Sequence, residues 1–175
     1  RILAVIPTLK YLQKQNSKTV LISHFGRPKA GVIDSKFSLL PVAKRLGEIL
    51  NKEIPFFTSI DEVNFHEDIS VIENIRFLQG ELINDLDLSI TLCNLADVYI
   101  FDAFGTSHRP HASTYGAIQA AKKSSRKPAK KSQCEISIRI CALRWTRSQH
   151  ATHACSAVEL HCTCAAQQRV VAALF

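Results

Sequence analysis

Over the first 118 residues, apolar positions follow two alternating patterns. Short β-branched and aromatic runs are separated by stretches in which apolar residues recur every three or four positions. The short runs are TVLI (Thr19 to Ile22), IPFF (Ile54 to Phe57), ISVIE (Ile69 to Glu73) and VYIF (Val98 to Phe101). The first shows no polar alternation, which suits a strand buried on both faces of a parallel sheet. Between the runs the spacing predicts helices. PTLKYLQKQ (7–15) places Pro7 in a tolerated first turn, with Leu9 and Leu12 on one face. Ser38 precedes LLPVAKRLGEIL as a cap, with Leu39, Val42, Leu46, Ile49 and Leu50 turned inward. Asn84 or Asp85 caps a third helix whose stripe is Leu88, Leu92 and Leu95. Strand and helix alternate throughout, so the pattern predicts an α/β domain with a parallel sheet and flanking helices.

That architecture gives the loops meaning, because ligands of open parallel sheets sit outside the carboxyl ends of the strands. His24 and Arg27 follow the first run, in SHFGRPK. Arg76 follows the third. After the fourth comes DAFGTSHRPHAS (Asp102 to Ser113), which carries Arg109, His108, His111 and several hydroxyls. Arg1, just ahead of the first helix, can join them. Each cation alone reads most simply as a solvated surface charge, and the last loop as a connection with a satisfied histidine. Three strand tips agreeing argues instead for one basic pocket. Guanidiniums are fixed cations with five donors, suited to phosphate or carboxylate. Four arginines and two of the histidines, His24 and His111, are too much charge for a neutral ligand and too compact for a nucleic-acid groove. A small molecule with two or more anionic groups fits. No GxxxxGK[ST] loop occurs, and the first part has no Cys and His pattern with metal-ligand spacing.

Charge and cysteines divide the chain near residue 120. Residues 1–118 hold 12 Lys and Arg against 13 Asp and Glu, a net of −1, whereas 119–175 hold 10 against 2, a net of +8. Cys93 stands alone in the first part; Cys134, Cys141, Cys155, Cys162 and Cys164 lie in the second. No apolar run approaches the roughly 18 to 20 residues of a membrane helix, and no secretory signal opens the chain. A soluble, cytoplasmic protein is expected, its thiols free in a reducing compartment. The opening Arg1, in place of Met, points to an upstream segment.

The motifs together resemble phosphoglycerate kinase. The resemblance rests on RILAVIPTLKYL, TVLISHFGRP followed by KFSLLPVAKRL, VIENIRFLQGE, and ADVYIFDAFGTSHRPHAST, in the family's order and near its spacings, over residues 1–118. It implies a partial, Rossmann-like amino-terminal domain that binds 3-phosphoglycerate, in a glycolytic enzyme that reversibly moves a phosphoryl group between 1,3-bisphosphoglycerate and ADP. Arg1 matches the family arginine that stabilises the transferring group. His24, Phe25, Gly26 and Arg27 match its substrate loop, and Arg76 and Arg109 two further substrate arginines. Mg-ATP or ADP would be held by a carboxy-terminal domain that this sequence lacks, so neither a cofactor site nor a metal site is expected here. A monomer is expected. Two departures stand out. The family's first strand lies upstream of Arg1, and Phe101 replaces the family's usual Asn before DAFG. The implied reading is a kinase part that does not turn over alone; its alternative is an inactive anionic-metabolite-binding remnant of a truncated or frameshifted gene.

After Ile118 the resemblance ends. QAAKKSSRKPAKKSQCE opens a basic, Cys-rich tail, 119–175, expected to be poorly structured. A shifted reading frame would explain the abrupt change. The cluster from Lys122 to Lys131 has no interleaved aromatic and reads as solvated charge rather than a nucleic-acid surface. His150, His153, Cys155, His161, Cys162 and Cys164 contain no CxxC pair and fit no standard zinc spacing. CEISIRICAL alternates well enough for an edge strand.

Overall fold

The computed structural model describes residues 2–103, 108–124, 139–140 and 168–174. Arg1, residues 104–107, most of the Lys122 to Lys131 cluster and all the tail histidines and cysteines weighed above as zinc ligands lie outside the described residues. One parallel sheet contains β1 (Lys18–Ile22), β2 (Phe56–Phe57), β3 (Ile69–Ile72), β4 (Val98–Asp102), β5 (Arg139–Ile140) and β6 (Arg169–Leu174), in the order β2-β3-β1-β6-β4-β5. Successive side chains of a strand point to opposite faces. The core is therefore split in two by the sheet. On one side Leu9 and Leu12 of α1 (Ile2–Lys14) and Ala43 and Leu46 of α2 (Leu40–Leu50) cover Leu21, Ile69, Val71, Val98 and Ile100. On the other, Leu92 of α4 (Leu86–Asn94) and Ala117 and Ile118 of α5 (Ala117–Ser124) cover Val20, Ile22, Ile72, Tyr99 and Phe101. A short helix, α3 (Gln79–Leu82), precedes α4.

The predicted elements form, with instructive differences. Helix α1 begins at Ile2, so Pro7 stands inside it rather than in its first turn. A proline there removes one main-chain bond. Ile2, Val5 and Ile6 pack on the core and offset that loss, since helices in proteins are held mainly by packing of their apolar face. Ser38 is not the residue that caps α2: that position is Leu39, which has no side-chain cap bond. The Ser38 hydroxyl still accepts from Leu40 N at 3.2 Å, and the Glu73 carboxylate accepts from Leu39 N at 2.8 Å. Of the two candidate caps for α4, Asp85 accepts from Leu88 N at 2.9 Å, while Asn84 takes the left-handed turn before it.

In the tail, β5 lies within CEISIRICAL and occupies the edge of the sheet, as its alternation predicts. Helix α5 runs across residue 118, with Ala121 fully buried. Strand β6 sits in the middle of the sheet, and its apolar RVVAAL run was not singled out by periodicity.

Candidate functional site

All strands point the same way, so the loops after β1, β3 and β4 leave from one edge of the sheet. The loop after β1 holds its shape through its neighbour. Ser23 O accepts from Ile75 N at 3.2 Å. Asn74, buried just past β3, donates its side-chain amide to Phe25 O at 2.7 Å and Phe37 O at 2.8 Å, and its Oδ1 accepts from Arg76 N at 3.1 Å. Gly26 has φ +64°, and a Cβ there would lie 2.4 Å from the Phe37 ring, so both backbone and space demand glycine.

Arg76 is the buried member of the cluster, 5 % exposed. Its Nη1 donates to Gly26 O at 2.6 Å, and its Nε has no hydrogen-bond partner among the described residues. Burial pushes the guanidinium below its ordinary value, as do Arg109 and Arg27 nearby, while the Glu81 carboxylate opposes them. Arg109 and Arg27, from two other loops, therefore lie near enough to Arg76 for their charges to act on it. Arg27 is exposed, Arg109 partly so, and His24 is half-buried in the same loop as Arg27. Phe25 is exposed, with its ring 6.5 Å from that of Phe37.

The loop after β4 is fastened from beneath by groups the sequence did not flag. Glu81, 1 % exposed, accepts from Ser113 N at 2.9 Å and Ser113 Oγ at 2.6 Å. Tyr99 of β4 donates its hydroxyl to Ser113 O at 2.5 Å. Thr114 Oγ1 donates to Arg109 O at 2.7 Å, and a π-helical turn over Ala112–Gly116 closes on His111 O. His111 Nδ1 stands 3.7 Å from Glu81 Oε1. Burial lowers the pKa of this imidazole, and Arg76, Arg109 and His108 lower it further. Burial raises the Glu81 carboxyl against its bonds from Ser113 and the pull of Arg76. Asn74 and Glu81 hold these loops through tertiary contacts, their only local signal being a polar residue directly after an apolar strand or beside Gly80, whereas Ser113 ends the loop that the sequence singles out.

Two surface depressions, about 460 Å³ beside Ser59 and Leu88 and about 680 Å³ beside Asn84 and Tyr115, contain none of these cations. Among the described residues, no group of His, Cys, Asp and Glu could hold a metal ion, and no helix is long and apolar enough to cross a membrane. Phe101, the departure noted before DAFG, packs in the apolar cluster beside Ala173.

Comparison with known proteins agrees with the motif reading and extends it. The family model for phosphoglycerate kinase matches residues 1–126, eight residues past the point where the motifs end. The phosphoglycerate kinase of Desulfovibrio desulfuricans is 43 % identical over 122 residues, and that of Francisella tularensis subsp. novicida 46 % over 121. Each alignment covers 69 % or 68 % of this chain and 31 % of the relative, so the chain spans about a third of the curated relatives it matches. The structure of phosphoglycerate kinase from Coxiella burnetii superposes with a TM-score of 0.64 at 31 % identity, covering 74 % of this chain and 38 % of that one. The Pyrococcus horikoshii enzyme, at 23 % identity and a TM-score of 0.55, shares the fold. On the match over 1–126, the chain belongs to the phosphoglycerate kinase family.

Proposed function

We propose that this chain carries the 3-phosphoglycerate-binding part of a phosphoglycerate kinase, which moves a phosphoryl group between 1,3-bisphosphoglycerate and ADP. The observation that carries the reading is the convergence of Arg27, Arg76 and Arg109, with a buried Arg76 Nε–H that has no protein partner among the described residues. Like charges gathered at a half-buried rim oppose one another, and a buried unpaired donor is costly. An anion with several oxygens relieves both. In this reading His24, Phe25, Gly26 and Arg27 form the substrate loop, Arg76 and Arg109 hold the anionic groups, and Arg1 steadies the group in transfer. Such transfer is catalysed mainly by positioning and by neutralising charge, which fixed guanidiniums do. Mg-ATP or ADP belongs to the family's other domain, and hinge closure brings the two substrates together.

Calorimetry tests this directly. The chain takes up 3-phosphoglycerate weakly and shows no heat with ADP and Mg²⁺. A hydrogen bond to a charged group contributes about 1.5 to 3 kcal/mol, so Arg27→Ala and Arg109→Ala each weaken binding roughly ten- to hundredfold. Unchanged affinity in both variants overturns the pocket.

A further inference from the structure

Glu81 is the most deeply buried carboxylate among the described residues, 1 % exposed against 9 % for Glu73. A buried charge is costly unless hydrogen bonds or an opposite charge offset it. Glu73 meets that cost with three donors, Ser38 Oγ at 2.6 Å, Leu39 N at 2.8 Å and Asn74 N at 2.7 Å. The donors that the described residues give Glu81 are two, both from Ser113. An uncharged amide would hold Ser113 equally well, since a serine hydroxyl turns to accept as readily as it donates. The bonds therefore explain the position of this side chain and leave its charge without a reason.

The reason lies in the cations. Arg76 and Glu81 act on each other: the carboxylate supports the guanidinium charge and the guanidinium favours the ionised carboxyl, each against its own burial. Arg109 and Arg27 press on Arg76 in the opposite direction. His111 Nδ1 is 3.7 Å from Glu81 Oε1, but burial, Arg76, Arg109 and His108 hold that ring below its ordinary range, which makes it a weak counter-ion. The same carboxylate also controls where Arg109 sits. It grips Ser113, whose carbonyl takes the Tyr99 hydroxyl, and the next residue returns Thr114 Oγ1 to Arg109 O. Helix α3 presents Glu81 here because Gly80 passes close to α4: a Cβ at that position would lie 2.7 Å from Asp85 Cβ and 3.2 Å from Leu88 Cβ.

We infer that Glu81 is both the positioning residue of the Arg109 loop and the built-in counter-charge of Arg76, so that an anion arriving at the rim takes over the second role and is repelled by the group that held it. Position and charge then act on affinity with opposite signs. Holding Ser113 strengthens anion binding, because Arg109 is placed in advance. The charge weakens it, since a carboxylate across a partly buried site repels an incoming anion far more than it would in water. The net result is a rim that is shaped for an anion yet releases it. This inference rests on the reading of the rim as an anion site.

NMR titration of the intact chain with 3-phosphoglycerate, and separately with inorganic phosphate, at about pH 8 and low ionic strength tells the two roles apart. Glu81→Gln keeps both bonds to Ser113 and removes the charge, so both probes bind about three- to tenfold more tightly. Glu81→Asp keeps the charge and draws it back from Ser113, so both bind more weakly than to the parent. A merely structural glutamate would lose affinity in both variants or in neither. Unchanged or weaker binding by Glu81→Gln therefore overturns the inference, as does Glu81→Asp binding as tightly as the parent or more so. A Glu81→Gln chain that fails to fold also overturns it, because the amide then does not replace the carboxylate at Ser113. Arg109→Ala is titrated alongside. If it weakens binding while Glu81→Gln does not tighten it, the anion reading stands and only the role of Glu81 fails; if the parent takes up neither probe, the anion reading itself fails and this inference with it.

Discussion

At His111 and Glu81 the environment sets the sign of each titration. The folded protein holds His111 below the ordinary 6.5, through burial and the cations Arg76, Arg109 and His108. The unfolded chain therefore takes up the proton first, so what this residue adds to stability is present above about pH 6.5 and is lost as pH falls below it. Glu81 behaves in the opposite sense. Its folded value lies above 4.5, so its contribution is present below that pH and is lost as pH rises through the raised value. The carboxylate 3.7 Å from the ring favours the imidazolium. An NMR titration of the His111 ring in the intact chain accordingly has its midpoint below 6.5, and Glu81→Gln moves it lower still. A midpoint at or above 6.5 in the parent chain refutes this account of the loop. Arg109 and His111 were legible in the sequence as loop cations after an apolar strand. Glu81 was not, because nothing local distinguishes a buried glutamate 32 residues from its partner Ser113 from a solvated one.

Among the elements, the loops after β1 and β3 behave as a single unit. Asn74 joins the Phe25 and Phe37 carbonyls, and Arg76 joins Gly26, so the ring of Phe37 packs over the turn at Gly26. Gly26→Ala meets both a left-handed backbone and a 2.4 Å contact with that ring. Such a change destabilises by about 1 to 3 kcal/mol. Urea unfolding monitored by circular dichroism reads the loss as a lower midpoint with unchanged slope; an unchanged midpoint would show that the turn relaxes freely. The helices teach a related lesson. Periodicity located α1, α2 and α4, but Pro7 and Ser38 misplaced two helix starts, because packing of Ile2 and Val5 and the reach of Glu73 override local capping rules.

For the whole molecule, the basic rim is a half-site by this reading. Cations in the loops after β1, β3 and β4 act on one another there. A coupled assay with 1,3-bisphosphoglycerate and Mg-ADP shows no ATP formation above background for the 175-residue chain alone. Turnover at a measurable rate would mean that the chain binds nucleotide by itself, contrary to the proposed division of labour.

The sequence by itself determined the α/β class, the parallel direction of the strands and the family, because apolar periodicity and loop motifs are local properties that survive in one dimension. It also determined that the cations after β1, β3 and β4 share an edge, since parallel strands leave no other choice. Only the tertiary structure decided which of them is buried, which carboxylate and amide hold the loops, and which segment fills the centre of the sheet. Those outcomes depend on contacts between residues far apart in the chain. Ser113 with Glu81 and Arg169 with Asp97 become neighbours only once the two cores close around the sheet.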